Sequence, residues 1–247
     1  MPTYCIIGTN RGLGLEFVRQ LAASPDNTII ATVRPSADRA DLEKVASPTT
    51  HVLECDTANV QSVHIFSNQV ARNILAGADG PSTTKIDYLI ISAGINGTPP
   101  GQDSLSLNPV LLNEQIAVNV VGPAKVVEFL VDRKALSPSV RILNMSTGLA
   151  SLALSSGMSP RKSISYSMSK AALNMLTVHQ GYDLRARGLV QAVVIAMDPG
   201  WVKTRMGGEG AQIEPEESIS GMLKVLHALK DEDNVSFFGR DGQRKPW

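Results

Sequence analysis

The chain has 247 residues, 43% of them hydrophobic, and its 23 basic and 23 acidic side chains leave no net charge. That length suits one α/β domain with a full core, and the neutral balance argues against a nucleic-acid binder, which needs a basic excess gathered on one face. No window approaches the length of a membrane span, and the opening MPTYCIIGTN lacks the basic region, apolar stretch and cleavage site of a signal peptide.

Short β-branched runs alternate with longer segments of helical period. In chain order Tyr4–Ile7 predicts a strand, Leu13–Ala23 a helix, Thr28–Val33 and His51–Glu54 strands, and Val60–Leu75 a helix. Ile86–Ser92 then predicts a strand, Pro109–Lys134 a helix, Val140–Met145 a strand, Ser165–Arg187 a helix and Val190–Met197 a strand. This alternation implies a parallel sheet covered on both faces, with right-handed crossovers and the doubly wound order in which the first strand is central. No repeat or linker divides the chain, so a single domain over 1–247 is expected. Three segments read as loops at the carboxyl edge of the sheet, where ligands sit in such folds: Gly94–Asn108, Gly148–Ser163 and Gly207–Pro215. Cys5 and Cys55 adjoin apolar strand-like runs, which favours buried, reduced thiols and a cytoplasmic setting.

Between the first strand and helix, Gly8-Thr9-Asn10-Arg11-Gly12-Leu13-Gly14 spaces its glycines as Gly-x-x-x-Gly-x-Gly. A turn this tight bares backbone N–H groups at a helix N-terminus, where a pyrophosphate is favoured, and glycine keeps side chains out of the approach. Chain reversal alone also uses such glycines, but the first βα turn is where a nucleotide is expected. Arg34 ends the second strand and Arg11 lies inside the turn. Arginine pairs with a ribose 2′-phosphate where a carboxylate would meet the bare hydroxyl, and no Asp or Glu follows before Asp38. Two solvated surface arginines are the plain alternative.

Tyr166 and Lys170 stand at i and i+4 near the start of a predicted helix, so they share a face. A tyrosine titrates near pH ~10, and an ammonium held close favours its phenolate and lowers that value toward the working range. By spacing alone such a pair is an ordinary solvated face. The small residues around it, from Ser163 to Ala172, leave room for a ligand or a neighbouring helix. Upstream, Asn144-Met145-Ser146-Thr147-Gly148 closes a strand with two hydroxyls, fit either for a turn or for donating to a substrate oxygen. Asn119, flanked by valines ahead of Gly122-Pro123, reads as a kink or a buried hydrogen-bonding residue.

Taken together in chain order, these motifs resemble those of the short-chain dehydrogenase/reductase family. Its glycine turn is Thr-Gly-x-x-x-Gly-x-Gly, with Ile7 standing here in place of the threonine. Cys55-Asp56-Thr57 is similar to the segment whose aspartate meets the adenine amino group, although Asp56 is equally placed to cap a helix. Ser92-Ala93-Gly94 matches Asn-Ala-Gly with the asparagine lost, and Pro199-Gly200-Trp201-Val202-Lys203-Thr204 matches the Pro-Gly-x-Val-x-Thr that contacts the nicotinamide carboxamide. The ending Phe237-Phe238-Gly239-Arg240-Asp241-Gly242, with Pro246-Trp247, is similar to a subgroup holding sniffer-like carbonyl reductases and fungal ketoreductases of secondary metabolism.

The resemblance implies a Rossmann-like sheet of about seven strands in the order 3-2-1-4-5-6-7. It implies NADP(H) as cofactor, held by Gly8, Asn10, Arg11, Gly12, Leu13, Gly14, Arg34, Asp56, Ala93, Gly94, Tyr166, Lys170, Pro199, Gly200, Val202 and Thr204. In the implied reaction, a hydride passes between NADPH and a carbonyl of a small to medium, partly apolar substrate. Tyr166 would protonate the oxygen, Lys170 lower the tyrosine's pKa and hold the ribose, Thr147 or Ser146 orient the substrate, and Asn119 hold Lys170 through a proton relay. No metal site is implied. A homodimer or homotetramer is. The alternatives are a non-catalytic NADP(H)-sensing regulator on the same fold, and an isomerase or dehydratase.

Overall fold

The computed structural model describes residues 1–74, 84–158 and 162–247. The end of the predicted helix at Leu75 and residues 159–161 of the second loop lie outside the described residues.

Seven strands, counted among the described residues, are β1 Thr3–Ile7, β2 Thr28–Val33, β3 Thr50–Glu54, β4 Ile86–Ile91, β5 Leu136–Met145, β6 Val193–Asp198 and β7 Ser236–Gly239. They pair in parallel in the order β3-β2-β1-β4-β5-β6-β7, the doubly wound, Rossmann-like arrangement expected. Period-2 alternation divides the strand side chains between two cores. Tyr4 and Ile6 face a core shared with Leu143, Met145, Ile195 and Phe238, closed by helices α1 (Gly12–Leu21) and α8 (Pro215–Ala228). Cys5 and Ile7 face the other, with Leu89, Ile91, Ile142 and Val194, closed by α3 (Val60–Gln69) and α5 (Gly122–Asp132). Phe17 and Phe66, each fully buried, anchor the two layers and stabilise by about 1.5–3 kcal/mol apiece. Both cysteines are buried free thiols.

Several predicted boundaries move. β5 begins at Leu136 rather than Val140, and a register irregularity between Ile86 and Tyr88 accommodates Pro138 at its start. β6 begins at Val193, because Leu189–Gln191 turn out of the preceding helix and leave Val190 exposed. Three helices were not expected, the short α2 (Ala40–Val45), the short α6 (Leu152–Ser155) inside the predicted Gly148–Ser163 loop, and α8. The long predicted helix over Pro109–Lys134 divides into α4 (Pro109–Ile116), a π-helical turn over Ala117–Val121, and α5. Beyond β5 come a 3-10 turn, Gly148–Ala150, the short α6 (Leu152–Ser155) and the long α7 (Ile164–Ala186). No helix among the described residues is long and apolar enough to cross a membrane.

Candidate active site

All the motif-bearing segments reach the carboxyl edge of the sheet. Gly8 adopts φ +89°, and a Cβ there would lie 2.9 Å from Ala93 at the end of β4. A Cβ on Gly14 would fall on the Gly8 carbonyl oxygen. Both positions admit glycine alone, and the result is a bare cradle at the N-terminus of α1. Thr9 and Thr32 tie the cradle to β2: the Gly8 N–H donates to Thr32 Oγ1 at 2.9 Å, and Thr9 Oγ1 donates to the Thr32 carbonyl at 2.9 Å. Sequence reasoning missed this pair, because a hydroxyl in the glycine turn and one on β2 have no spacing to read.

Arg11 and Arg34 are exposed at the rim of the cradle. No hydrogen bond or ion pair is made by either guanidinium among the described residues, whereas nearby Arg39 is taken up by Glu54. Asp56 Oδ1 accepts from Ala58 N–H at 3.0 Å, and the cap of α3 is Asn59, which accepts from Ser62 N–H at 3.1 Å. Asp56 therefore shapes the turn but is not the helix cap. Asn10 and Leu13 are half-buried in the cradle turn, Leu13 packing on the first core. Past β6, Pro199 O accepts from Ser218 Oγ at 2.8 Å, Gly200 turns the chain at φ +79°, and Val202 is buried. Thr204 then comes back against the cradle, 3.8 Å from where a Cβ on Gly12 would stand.

Tyr166 and Lys170 lie on the first turns of α7, with Lys170 Nζ 5.9 Å from the phenol ring centroid. Lys170 is almost fully buried and donates to the Met145 carbonyl at 2.7 Å. Burial pulls its pKa down to about 7. Burial also pushes the Tyr166 phenol up, and the Asp198 carboxylate adds to the push. In this arrangement burial disfavours the Lys170 ammonium, and its Nζ bonds the Met145 carbonyl rather than the phenol.

The two strand-end hydroxyls separate cleanly. Ser146 Oγ is buried and donates to Asn174 Oδ1 at 2.6 Å, deep against α7. Thr147 is half-exposed at the rim, its Oγ1 accepting from Leu149 N–H at 3.3 Å as the cap of the 3-10 turn. Asn119, fully buried in the π-helical turn, is both kink and hydrogen-bonding hub. Its amide accepts from Ile95 N–H and donates to Ile95 O, both at 2.9 Å, and donates to Ser169 Oγ at 2.9 Å. Gly94, pinned beside it, lies so near Lys170 that a Cβ would be 3.3 Å from Nζ.

The Gly94–Asn108 loop is laced to the start of α7. Asn96 Nδ2 donates to Ser163 Oγ at 3.3 Å, Thr98 Oγ1 bonds Ser165 Oγ at 2.9 Å, and Ser165 Oγ donates to Gln102 Oε1 at 3.2 Å. The Tyr166 N–H, one of the orphan donors of the helix start, finds Thr98 Oγ1 at 3.3 Å. On the opposite wall Trp201 Nε1 donates to Gly207 O at 2.7 Å, holding the Gly207–Pro215 loop.

The model of the family described as short chain dehydrogenase matches residues 2–214. An uncharacterised oxidoreductase of Schizosaccharomyces pombe is 27% identical over 99% of this chain and 97% of its own length. The crystal structure of an NADPH-bound carbonyl reductase from chicken fatty liver superposes with a TM-score of 0.87 at 28% identity, covering 100% of this chain and 99% of that one. Carbonyl reductase Sniffer of Drosophila melanogaster superposes at 0.84 with 25% identity, covering both chains in full. With the cradle, the Tyr166–Lys170 turn and the strand-end hydroxyls in family order around one sheet edge, the chain belongs to the short chain dehydrogenase family and is an oxidoreductase.

Proposed function

We propose that the protein, as a single Rossmann domain, is an NADP(H)-dependent ketoreductase of small to medium, partly apolar carbonyl compounds. The observation that carries this reading is the run of close approaches from the Tyr166 ring to Lys170 Nζ at 5.9 Å, from Lys170 to Gly94, and from neighbouring Ala93 to Gly8 of the cradle. NADP(H) fits the residues present, because the cradle is one that a Cβ would fill and Arg11 and Arg34 offer free guanidinium groups for a 2′-phosphate. The likeness to an NADPH-bound carbonyl reductase supports the same cofactor. Bound there, it supplies the hydride.

The chain's own residues supply the rest. Gly8, Asn10, Gly12, Leu13 and Gly14 hold the pyrophosphate, Asp56 the adenine, and Ala93, Gly94, Pro199, Gly200, Val202 and Thr204 the nicotinamide half. Thr147, the hydroxyl at the rim, orients the carbonyl oxygen, and Tyr166 protonates it. Ser146 instead holds α7 against β5 through Asn174. Lys170 lies close enough to Gly94 and Tyr166 to serve the ribose and the phenolate in turn. Asn119 keeps Gly94 and Ser169 in register with it.

Leu152, Leu154, Trp201 and Met206, all with exposed apolar surface, favour a partly apolar substrate between the second and third loops. Exposed Val110, Met168, Met175 and Tyr182 on α4 and α7 support homo-oligomerisation through these helices. Buried free thiols at Cys5 and Cys55 suit a reducing cytoplasm.

Assay of NADPH oxidation across a carbonyl panel tests the reading, with Tyr166→Phe as control. Turnover should fall at least about a hundredfold in the variant while NADPH affinity is kept. NADPH binding without turnover in the unaltered protein would favour a sensor instead.

A further inference from the structure

β7 is the outermost strand of the sheet on its side, and the chain itself covers the open edge. It turns at Arg240–Gly242, with Gly242 at φ +80°, and returns antiparallel as a strap. Gly239 N–H donates to Gln243 O at 2.9 Å, and Lys245 N–H donates to Phe237 O at 2.7 Å. Covering the edge needs no more than these bonds. The strap nevertheless runs on to Trp247, whose ring stacks on Phe237 with centroids 5.5 Å apart and whose main-chain oxygen accepts from Ala153 N–H at 3.1 Å.

Ala153 belongs to α6, a helix of four residues and too short to stand on its own bonds. The segment that leads to it from Thr147 is held by local contacts: Ala150 N–H donates to Thr147 O at 3.0 Å, Ser151 N–H to Gly148 O at 3.2 Å and Leu154 N–H to Ser151 Oγ at 3.1 Å. Among the described residues, the bond to Trp247 is the one hydrogen bond that ties α6 to a distant part of the chain. Leu152 and Leu154, on either side of the tied amide, carry the exposed apolar surface assigned above to the substrate wall.

We propose that Trp247 is a positioning residue for substrate binding: stacked on β7, it fixes α6 and with it the Leu152 and Leu154 wall that follows Thr147. The proposal rests on the reductase reading above, in which that wall meets the carbonyl compound.

Millisecond hydrogen exchange tests the placement, and steady-state kinetics test what the placement does. In Trp247→Ala the amides of residues 149–156 should exchange about 3–10-fold faster, as expected for loss of a stacked aromatic pair and the bond it supports, while those of β1 to β6 stay unchanged. KM for carbonyl compounds should rise by a similar factor, with kcat and KM for NADPH kept. Trp247→Phe, which leaves a ring on Phe237, should restore both. Faster exchange confined to Ser236–Gly239, or spread evenly over the chain, overturns the proposal, because the strap would then serve the edge or the fold alone. An unmoved carbonyl KM in a protein whose exchange at 149–156 has risen overturns it too. Where Trp247→Ala does not fold, Phe237→Leu removes the other ring and is read by the same criteria. A protein that reduces no carbonyl refutes the reductase reading, and the exchange comparison still decides whether Trp247 holds α6.

Discussion

Lys170 is the residue on which sequence and structure pull apart most instructively. The i, i+4 spacing places it correctly beside Tyr166, but a spacing says nothing of desolvation, and burial makes the ammonium costly. Its pKa lies near 7 in the folded chain against the ordinary 10.5. From about pH 7 to the ordinary lysine range the unfolded chain binds the extra proton, so stability rises with pH through that window and the cost is full below it. Lys170→Met should therefore raise the neutral-pH stability by roughly 1–3 kcal/mol, less the lost bond to Met145, while abolishing turnover. Thermal melts at neutral and alkaline pH check this, and the gain should shrink as pH rises. The Tyr166–Lys170 pair and the Ser146–Thr147 strand end were legible as motifs because each lies within a few consecutive residues. The Thr9–Thr32 pin was not, since it joins residues 23 apart through tertiary pairing.

At the scale of elements, the π-helical turn over Ala117–Val121 does what a straight helix from Pro109 onward would not. It aims Asn119 at the backbone of Ile95 and leaves Gly122 close against Thr57. Asn119→Ala orphans the Ile95 N–H and carbonyl together, and a cost of about 2–4 kcal/mol is expected, with faster amide exchange confined to residues 94–98. Urea unfolding and exchange mass spectrometry measure the two effects. The kink and a buried, hydrogen-bonding Asn119 were foreseeable from its place among valines ahead of Gly-Pro, but the π-helical turn was not. An extra residue in one turn disturbs apolar periodicity too little to be seen over five positions. α8 escaped for another reason: its N-terminus follows directly on a glycine-rich loop that masked its start.

For the whole molecule, strand order is what gathers the site. β1 and β2 are neighbours, so Arg11 and Arg34, separated by 22 intervening residues, come to one rim, while Thr204 arrives from beyond β6. Alternation of strands and helices was enough to foresee the sheet and the gathering of the motif-bearing loops at its carboxyl edge. If the rim holds a 2′-phosphate as proposed, the Arg11→Ala, Arg34→Ala double variant should raise KM for NADPH by about 10–100-fold and leave NADH nearly unchanged. Steady-state kinetics with both nucleotides settle it, and equal losses for the two would reject the assignment.

The hydroxyl lacing between the Gly94–Asn108 loop and the head of α7 carries a lesson for redesign. Thr98 and Gln102 belong to a segment that is tempting to exchange when a different substrate range is wanted. Yet Thr98 also satisfies the backbone of Tyr166. If Tyr166 is the acid–base group as proposed, the loop and the placement of that group are coupled through one threonine, and loop grafts should retain position 98 as Thr or Ser for rate to survive.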